Sequence, residues 1–499
     1  MFTMFKKVSF SCLFLLISLS IGDGKQIVKA ETRTSQVNVK NNDNKSICTN
    51  QLTSAINNVV NREDLKRSHW GILIKNLSSG ETIYSQNAEK YFTPASNIKL
   101  FTTAVALTKL GSDFRFRTAI YDDGNGVLRV VGSGDPSLKN PQLQLLSQQL
   151  FQSGIKEINK LIADDSSFQG DLINSSWEWE DIQSYYGTQV NSLILNENAI
   201  SLTLLPQKVG DKLQLRWDNS PERYHWKIEN NTITTASGTP GFINIERDLK
   251  GQILRINGKL PIDAPPEVNT IAVFDPATNF LREFRQVLAN QGISVKETLI
   301  NNDQKNNNNS KEIAVVASPP LSELLLETNI NSNNLYAEVL LRTLASKQPL
   351  GTNETTANLG LKVIKETLTD LGIEPQGYMI VDGSGLSRKN LVTPTAIVQL
   401  LQAMEKSPQK EIFRASLPIS GVSGTLKNRF LNTNAVGIIQ AKTGTMTGIS
   451  NLSGYINTPN YQPLVFSIMV NQYQQPNQAI RTAIDQILVL LTDLKQCDN

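Results

Sequence analysis

Between about residue 115 and residue 312 the texture of this chain changes, and that change limits what the whole can fold into. Before it, LTSAINNVVN reads as a helix, and HWGILIKNL and ETIYSQN read as two strands joined through Ser78-Ser79-Gly80. After it, helical patterns return in SELLLETNI, NNLYAEVLLRTLA and TANLGLKVIKETLTDLG. Strands follow in IIQAKTGTMTG, ISNLSGYIN and PLVFSIMVN, and QAIRTAIDQILVLLTDLK reads as a last amphipathic helix. The interval itself is a succession of short strand-like runs, among them RTAIYDD, GVLRVVG, ISLTLLP and ILRINGKL. It closes on the Asn-rich NNDQKNNNNS, which has almost nothing to bury. The ends therefore predict one α/β (α+β) domain, an antiparallel sheet with flanking helices, built from residues 48–114 and 313–499. A long mainly β insertion over 115–312, itself of two subdomains, splits it.

The length of 499 residues fits two or three domains rather than one core. Lys6 and Lys7 precede the apolar run VSFSCLFLLISLSIG, the pattern of an export signal over residues 1–30, with cleavage sites fitting after Gly22 or Ala30. The alternative is an uncleaved membrane anchor. Residues 31–47 are polar and read as a disordered lead-in. No later stretch approaches the ~20 apolar residues of a span, so no membrane span is expected after signal removal. The protein should be exported, to the periplasm or cell envelope. A net charge of +3 without a basic stripe predicts no nucleic-acid partner. Beyond the leader only Cys48 and Cys497 remain of three cysteines. In an oxidising compartment they can pair and staple the ends, or stay two thiols; the sequence leaves both open.

Two histidines, His69 and His225, are too few for a metal cluster, and no HExxH occurs. A Ser-His-Asp triad has little to draw on. No metal and no cofactor are implied. Attention turns to Ser-Lys chemistry. In TPASNIKLFTTAVAL, Ser96 and Lys99 lie three apart, on one side of a helix. The apolar positions Ile98, Leu100, Phe101, Val105 and Leu107 cover one broad face of that helix. A lysine near its reference pKa of ~10.4 is a poor base at neutral pH, and burial or a second cation makes it a better one. Taken alone, Ser96 and Lys99 read first as a helix cap and a surface charge, and Ser153-Gly-Ile-Lys156 shows how cheaply S-x-x-K arises. Ser332-Asn333-Asn334, an S-x-N before a helix, and Lys442-Thr443-Gly444, a K-T-G in a strand, change that balance. The ordered set S-x-x-K, S-x-N, K-T-G is the motif set of serine β-lactamases and penicillin-binding proteins.

In these motifs the chain resembles the low-molecular-mass class C penicillin-binding proteins, the D-Ala-D-Ala carboxypeptidase/endopeptidase group of peptidase family S13. Matching stretches include VVGSGDPSL, IADDSSF, WEWEDIQSYYG, DGSGLSR and GVSGTLKNRF, and the long insertion between the first two motifs is typical. The resemblance implies a β-lactamase/transpeptidase-like fold and a serine-type D-Ala-D-Ala carboxypeptidase acting on peptidoglycan stem peptides. It implies covalent inhibition by β-lactam antibiotics. Ser96 is implied as the acylated nucleophile and Lys99 as its base. Ser332 and Asn334 are implied as the second-motif pair, and Lys442 as the cation beside Ser332. With Thr443, Gly444 and Thr445, Lys442 would meet the substrate carboxylate. The backbone N–H groups of Ser96 and Thr445 would form the oxyanion hole. Asp181 and Arg388, with Tyr186 nearby, match positions that contact the substrate side chain, though each also reads as a plain cap or surface charge. Gly383 and Gly385 read as serving a tight backbone turn. Two departures stand out: the second motif has Asn333 where an acid is frequent, and Thr447 stands where some relatives carry a longer amide. The alternatives are a serine β-lactamase, which needs a base for fast deacylation, and a catalytically silent peptidoglycan-binding protein.

Overall fold

The computed structural model describes residues 46–218, 226–248, 253–302, 310–346, 351 and 354–497. The leader expected over 1–30, nearly all of the lead-in and most of the Asn-rich loop lie outside them.

Both ends of the chain build one antiparallel sheet. Its five strands run in the order Ile439–Met446, Ile449–Ile456, Leu464–Asn471, His69–Asn76 and Thr82–Gln86. The strands Ile449–Ile456 and Leu464–Asn471 are buried at every residue. That explains why ISNLSGYI and LVFSIMVN lack the in-out alternation of a half-exposed strand: helices cover both faces. On one face the helices Thr49–Val60 and Asn477–Thr492 set Leu52, Ile56, Ile480, Ile484 and Leu488 against Ile72, Ile74, Phe466 and Ile468. On the other, Ile98–Leu110, Asn334–Thr343 and Pro394–Glu405 pack over Leu73, Tyr455, Val465 and Met469.

The helix Ile98–Leu110 departs from the expected single apolar face. Every residue from Ile98 to Leu107 is buried, Lys99, Thr102 and Thr103 included. A helix in the middle of a helical layer has no solvent side. Its polar groups are satisfied locally: Thr103 Oγ1 donates to the Lys99 carbonyl at 2.6 Å and Thr102 Oγ1 to the Gly383 carbonyl at 2.7 Å.

Between the two halves, strands Ser294–Asn301, Glu157–Asp164, Val127–Gly132, Arg117–Asp122 and Lys311–Ala317 form a second five-stranded sheet, in that order. Helices Asn140–Gln152 and Pro276–Asn290 share its core. Two three-stranded sheets follow from it. One has the order Phe242–Arg247, Ile253–Pro261, Lys227–Thr235; the other Glu267–Ala272, Ala199–Leu205, Gln214–Trp217. Leu202, Leu204, Trp226, Leu254 and Ile256 fill the space between them. Ile47–Cys48 pairs in parallel with Leu494–Lys495, and a disulfide joins Cys48 to Cys497 with 5.7 Å between their Cα atoms. The alternative left open by the sequence is thus resolved in favour of the staple. No helix among the described residues is long and apolar enough to cross a membrane.

Candidate active site

Ser96 stands on a short 3-10 turn, Ala95–Asn97, that runs directly into the helix Ile98–Leu110. Ala95 has φ +47°, a conformation that L-residues adopt only under constraint. The constraint comes from the sheet. Asn451 Nδ2 donates to the carbonyls of Thr93 (3.0 Å) and Pro94 (2.8 Å), and Asn97 Nδ2 donates to Ser453 Oγ at 2.8 Å. Two glycines then close on the turn. A Cβ on Gly444 would lie 2.3 Å from the Pro94 carbonyl, and one on Gly385 would lie 1.9 Å from the Ala95 carbonyl. Only backbone fits at either place.

One helical turn on, Lys99 Nζ has three acceptors: Ser96 Oγ at 2.9 Å, Asn334 Oδ1 at 2.6 Å and the Ser384 carbonyl at 2.7 Å. The side chain is wholly buried. Loss of solvation pulls its pKa down to about 7, against the opposing pull of Asp382 and Glu338. Those two carboxylates build the loop that holds Lys99. Glu338 Oε1 accepts from Gly383 N (2.9 Å) and Ser384 N (2.8 Å). Asp382 accepts from Gly385 N, Ser387 N, Asn390 Nδ2 and Trp177 Nε1. Burial and the nearby Asp382 raise Glu338 to about 7.

Ser332 has φ +62° and turns its hydroxyl toward Lys442, whose Nζ donates to it at 2.8 Å. Burial, and after it the Lys99 charge, hold the Lys442 ammonium well below the usual lysine range. Asn333 caps the helix Asn334–Thr343 by accepting from Tyr336 N. Its Nδ2 donates to Glu197 Oε2 at 2.8 Å, tying the second motif to the insertion. Asn334 Nδ2 donates to the Tyr186 carbonyl at 2.8 Å. Lys442, Thr443, Gly444 and Thr445 lie on the strand Ile439–Met446, at an edge of the sheet. Thr443 Oγ1 donates to Thr425 Oγ1 at 2.8 Å. A cleft of about 660 Å³ opens over these groups, lined by Ser96, Ser332, Thr443 and Thr445, and on its far side by Phe430, Gln478 and Arg481.

The structure thus brings the five together as two hydrogen-bonded groups, Ser96–Lys99–Asn334 and Ser332–Lys442, with Ser96 and Ser332 lining one cleft. Asp181 and Arg388 stand apart from both and are not paired with each other. Asp181 is bonded to Tyr186, and burial, then Glu178, raises its carboxyl above the usual range. Arg388 Nε pairs with Glu178 at 2.9 Å, and its Nη1 donates to the Thr447 carbonyl at 3.3 Å. Sequence reasoning missed Glu338, Asp382 and Asn451. Asp382 opens the matching stretch DGSGLSR without a role assigned to it, and Glu338 leaves a trace as an acid between the apolar residues of LYAEVLL. Among the described residues no cluster of three or more His, Cys, Asp or Glu side chains could hold a metal.

The sequence profile of the D-Ala-D-Ala carboxypeptidase 3 (S13) family matches residues 52–494. The chain is 33% identical to the penicillin-sensitive carboxypeptidase A of Dictyostelium discoideum, over 92% of this chain and 95% of that protein. It is 31% identical to a D-alanyl-D-alanine carboxypeptidase of an Actinomadura species, over 85% of this chain and 82% of that one. In fold it resembles the crystal structure of penicillin binding protein 4 from Haemophilus influenzae, with a TM-score of 0.74, 24% identity, and coverage of 88% of this chain and 97% of the other.

Proposed function

The chain belongs to the D-Ala-D-Ala carboxypeptidase 3 (S13) family and is a serine-type D-Ala-D-Ala carboxypeptidase, a hydrolase; from that premise we propose which residues carry the reaction and on what substrate. Neutral Lys99 takes the hydroxyl proton of Ser96, and Ser96 Oγ attacks the carbonyl carbon of the penultimate D-Ala of a peptidoglycan stem peptide. The N–H groups of Ser96 and Thr445 receive the oxyanion. Collapse breaks the peptide bond, and the Lys99 proton passes through the Ser332 hydroxyl to the departing D-Ala amine. Water then attacks the acyl-Ser96 ester. Lys99 accepts its proton and returns it to Ser96 Oγ. Asn334 keeps Lys99 and the substrate amide in place, and Lys442, Thr443 and Thr445 meet the terminal carboxylate. Gly444 lets that edge strand lie against the nucleophile turn.

Asp181 and Arg388 grip the stem-peptide side chain upstream of the bond. A D-amino-acid cross-link presents the same acyl-D-Ala bond, so we include DD-endopeptidase activity. Residues 48–114 and 313–499 carry the chemistry and the carboxylate and Arg388 contacts, and residues 115–312 add Asp181 to the grip on the side chain. The site of action is the periplasm or cell envelope, a reading supported by the apolar leader and by a disulfide that persists in oxidising compartments.

The observation that carries the mechanism is Lys99 Nζ, wholly buried, 2.9 Å from Ser96 Oγ, with a pKa of about 7. The test is a fluorescent penicillin, which resembles acyl-D-Ala-D-Ala, applied to the mature protein and to Ser96→Ala. Stable label on wild type alone is expected. Label on Ser96→Ala would remove the nucleophile assignment, and label lost within seconds would favour a β-lactamase.

A further inference from the structure

A second cleft, of about 650 Å³, lies in the insertion, between the segment carrying Trp179 to Tyr186 and two sheet edges. Those edges are the strands Phe242–Arg247 and Glu267–Ala272, each outermost in its sheet. The cleft adjoins the catalytic centre through Tyr186, which lines it and whose carbonyl receives Asn334 Nδ2. Its volume falls within the range of small-ligand sites.

The lining is of a particular kind. Trp179 and Tyr186 line the cleft side by side with polar groups and are 48% and 37% exposed, each an apolar ring with a polar tip. Around them stand the amides of Gln183, Asn244 and Asn269, together with the carboxyl-bearing Glu180 and Glu246 and the guanidinium of Arg247. An amide both donates and accepts, so it matches hydroxyl and acetamido groups better than it matches a charge. Ring faces beside such amides suit a ligand with flat C–H faces and a rim of hydroxyls, which is a sugar. An added peptide strand suits the cleft less well, because the edge backbone is already engaged at Arg247 and at Ile271–Ala272. Ala272 N donates to the Gln183 carbonyl at 3.0 Å, Arg247 N donates to Gln183 Oε1 at 3.1 Å, and Ser184 bridges Ile271.

We propose that this cleft is a glycan subsite that holds N-acetylated sugars of the strand from which the stem peptide hangs. The proposal rests on the peptidoglycan reading above, since it supplies the second half of the same substrate. The insertion then anchors the polymer beside Ser96 while the peptide reaches the nucleophile.

The test uses the full mature protein and a peptide-free tetrasaccharide of alternating N-acetylglucosamine and N-acetylmuramic acid, with binding read by calorimetry. Saturable binding is expected. It should weaken at least tenfold in Trp179→Ala and in Asn244→Ala/Asn269→Ala, while penicillin acylates the double variant at the wild-type rate. Absence of tetrasaccharide binding, or binding that survives both variants, overturns the proposal. Binding of a sugar-free cross-linked peptide with the same dependence on Asn244 and Asn269 overturns it in favour of a peptide site. The catalytic reading fails in a different way: penicillin then leaves Ser96 unlabelled, whatever the tetrasaccharide does.

Discussion

Lys99 can take a proton from Ser96 only when neutral, so its ionisation sets the acid side of the pH profile. With the pKa drawn down to about 7 by burial, kcat/KM for a D-Ala-D-Ala peptide should fall tenfold per unit below that point and level off above it. A profile flat from pH 5 to 8 would remove Lys99 as the base. The groups whose charges act on Lys99 are Asp382 and Glu338, and Lys442 is the neighbouring cation. Glu338 therefore has two separable effects. Its Oε1 aims the Ser384 carbonyl at Lys99 through two amide hydrogen bonds, and its charge favours the ammonium. Glu338→Gln keeps an acceptor oxygen and removes the charge that Glu338 carries only once it ionises at about pH 7, so the acid limb should move down, by about half a unit at most. Glu338→Ala removes both and should cut penicillin acylation by roughly 10²-fold, the scale of a misplaced catalytic group. Equal pH profiles in wild type and Glu338→Gln would leave Glu338 a purely structural residue.

At the scale of elements, the site is an edge strand and a loop pressed onto one strained turn. Gly444 and Gly385 mark the two contacts, since a single methyl at either would overlap a carbonyl of the turn. Gly444→Ala should drive the strand Ile439–Met446 off the turn and lower the penicillin acylation rate by about 10²-fold, with circular dichroism little changed. Acylation within threefold of wild type would mean that the contact has slack. The elements that carry motifs were legible in the sequence because their information is local: a three-residue spacing, a cap before a helix, a strand with a glycine. What was not legible works through distance. Glu338 and Asp382 act on backbone N–H groups whose direction exists only once the loop at Gly383 to Ser387 is folded. Asn451 grips Pro94 across the sheet. Arg388 was singled out, yet its partner Glu178 was not, because nothing in the chain links WEWED to GLSR before they meet. The insertion helices Asn140–Gln152 and Pro276–Asn290 were hidden by the strand runs around them; the helix Ile98–Leu110 was legible, but its threonines and lysine hid its burial on every side.

For the whole molecule, the cost of splitting one domain across the chain is loop closure. His69–Asn76 must find Leu464–Asn471 across the entire insertion before the central sheet exists, and such non-local pairing slows folding. The Cys48–Cys497 disulfide closes the same circuit from outside, across a sequence separation of 449. Chain entropy for so long a loop predicts roughly 6 kcal/mol of stabilisation, above the ~2–5 kcal/mol that native disulfides usually deliver. The bond ties the segment before the helix Thr49–Val60 to the end of the helix Asn477–Thr492, both on the sheet face opposite the helix that carries Lys99. Removing it should therefore weaken the clasp without disturbing Ser96. In Cys48→Ser we expect the Tm of the domain to fall by roughly 3–8 °C and refolding from denaturant to slow, with penicillin acylation within twofold of wild type. Differential scanning calorimetry and a labelling time course on the same samples check both halves. If acylation collapses together with Tm, the staple is not a remote clasp, and the terminal strand pair Ile47–Cys48 and Leu494–Lys495 bears on the geometry of the nucleophile turn through the sheet between them.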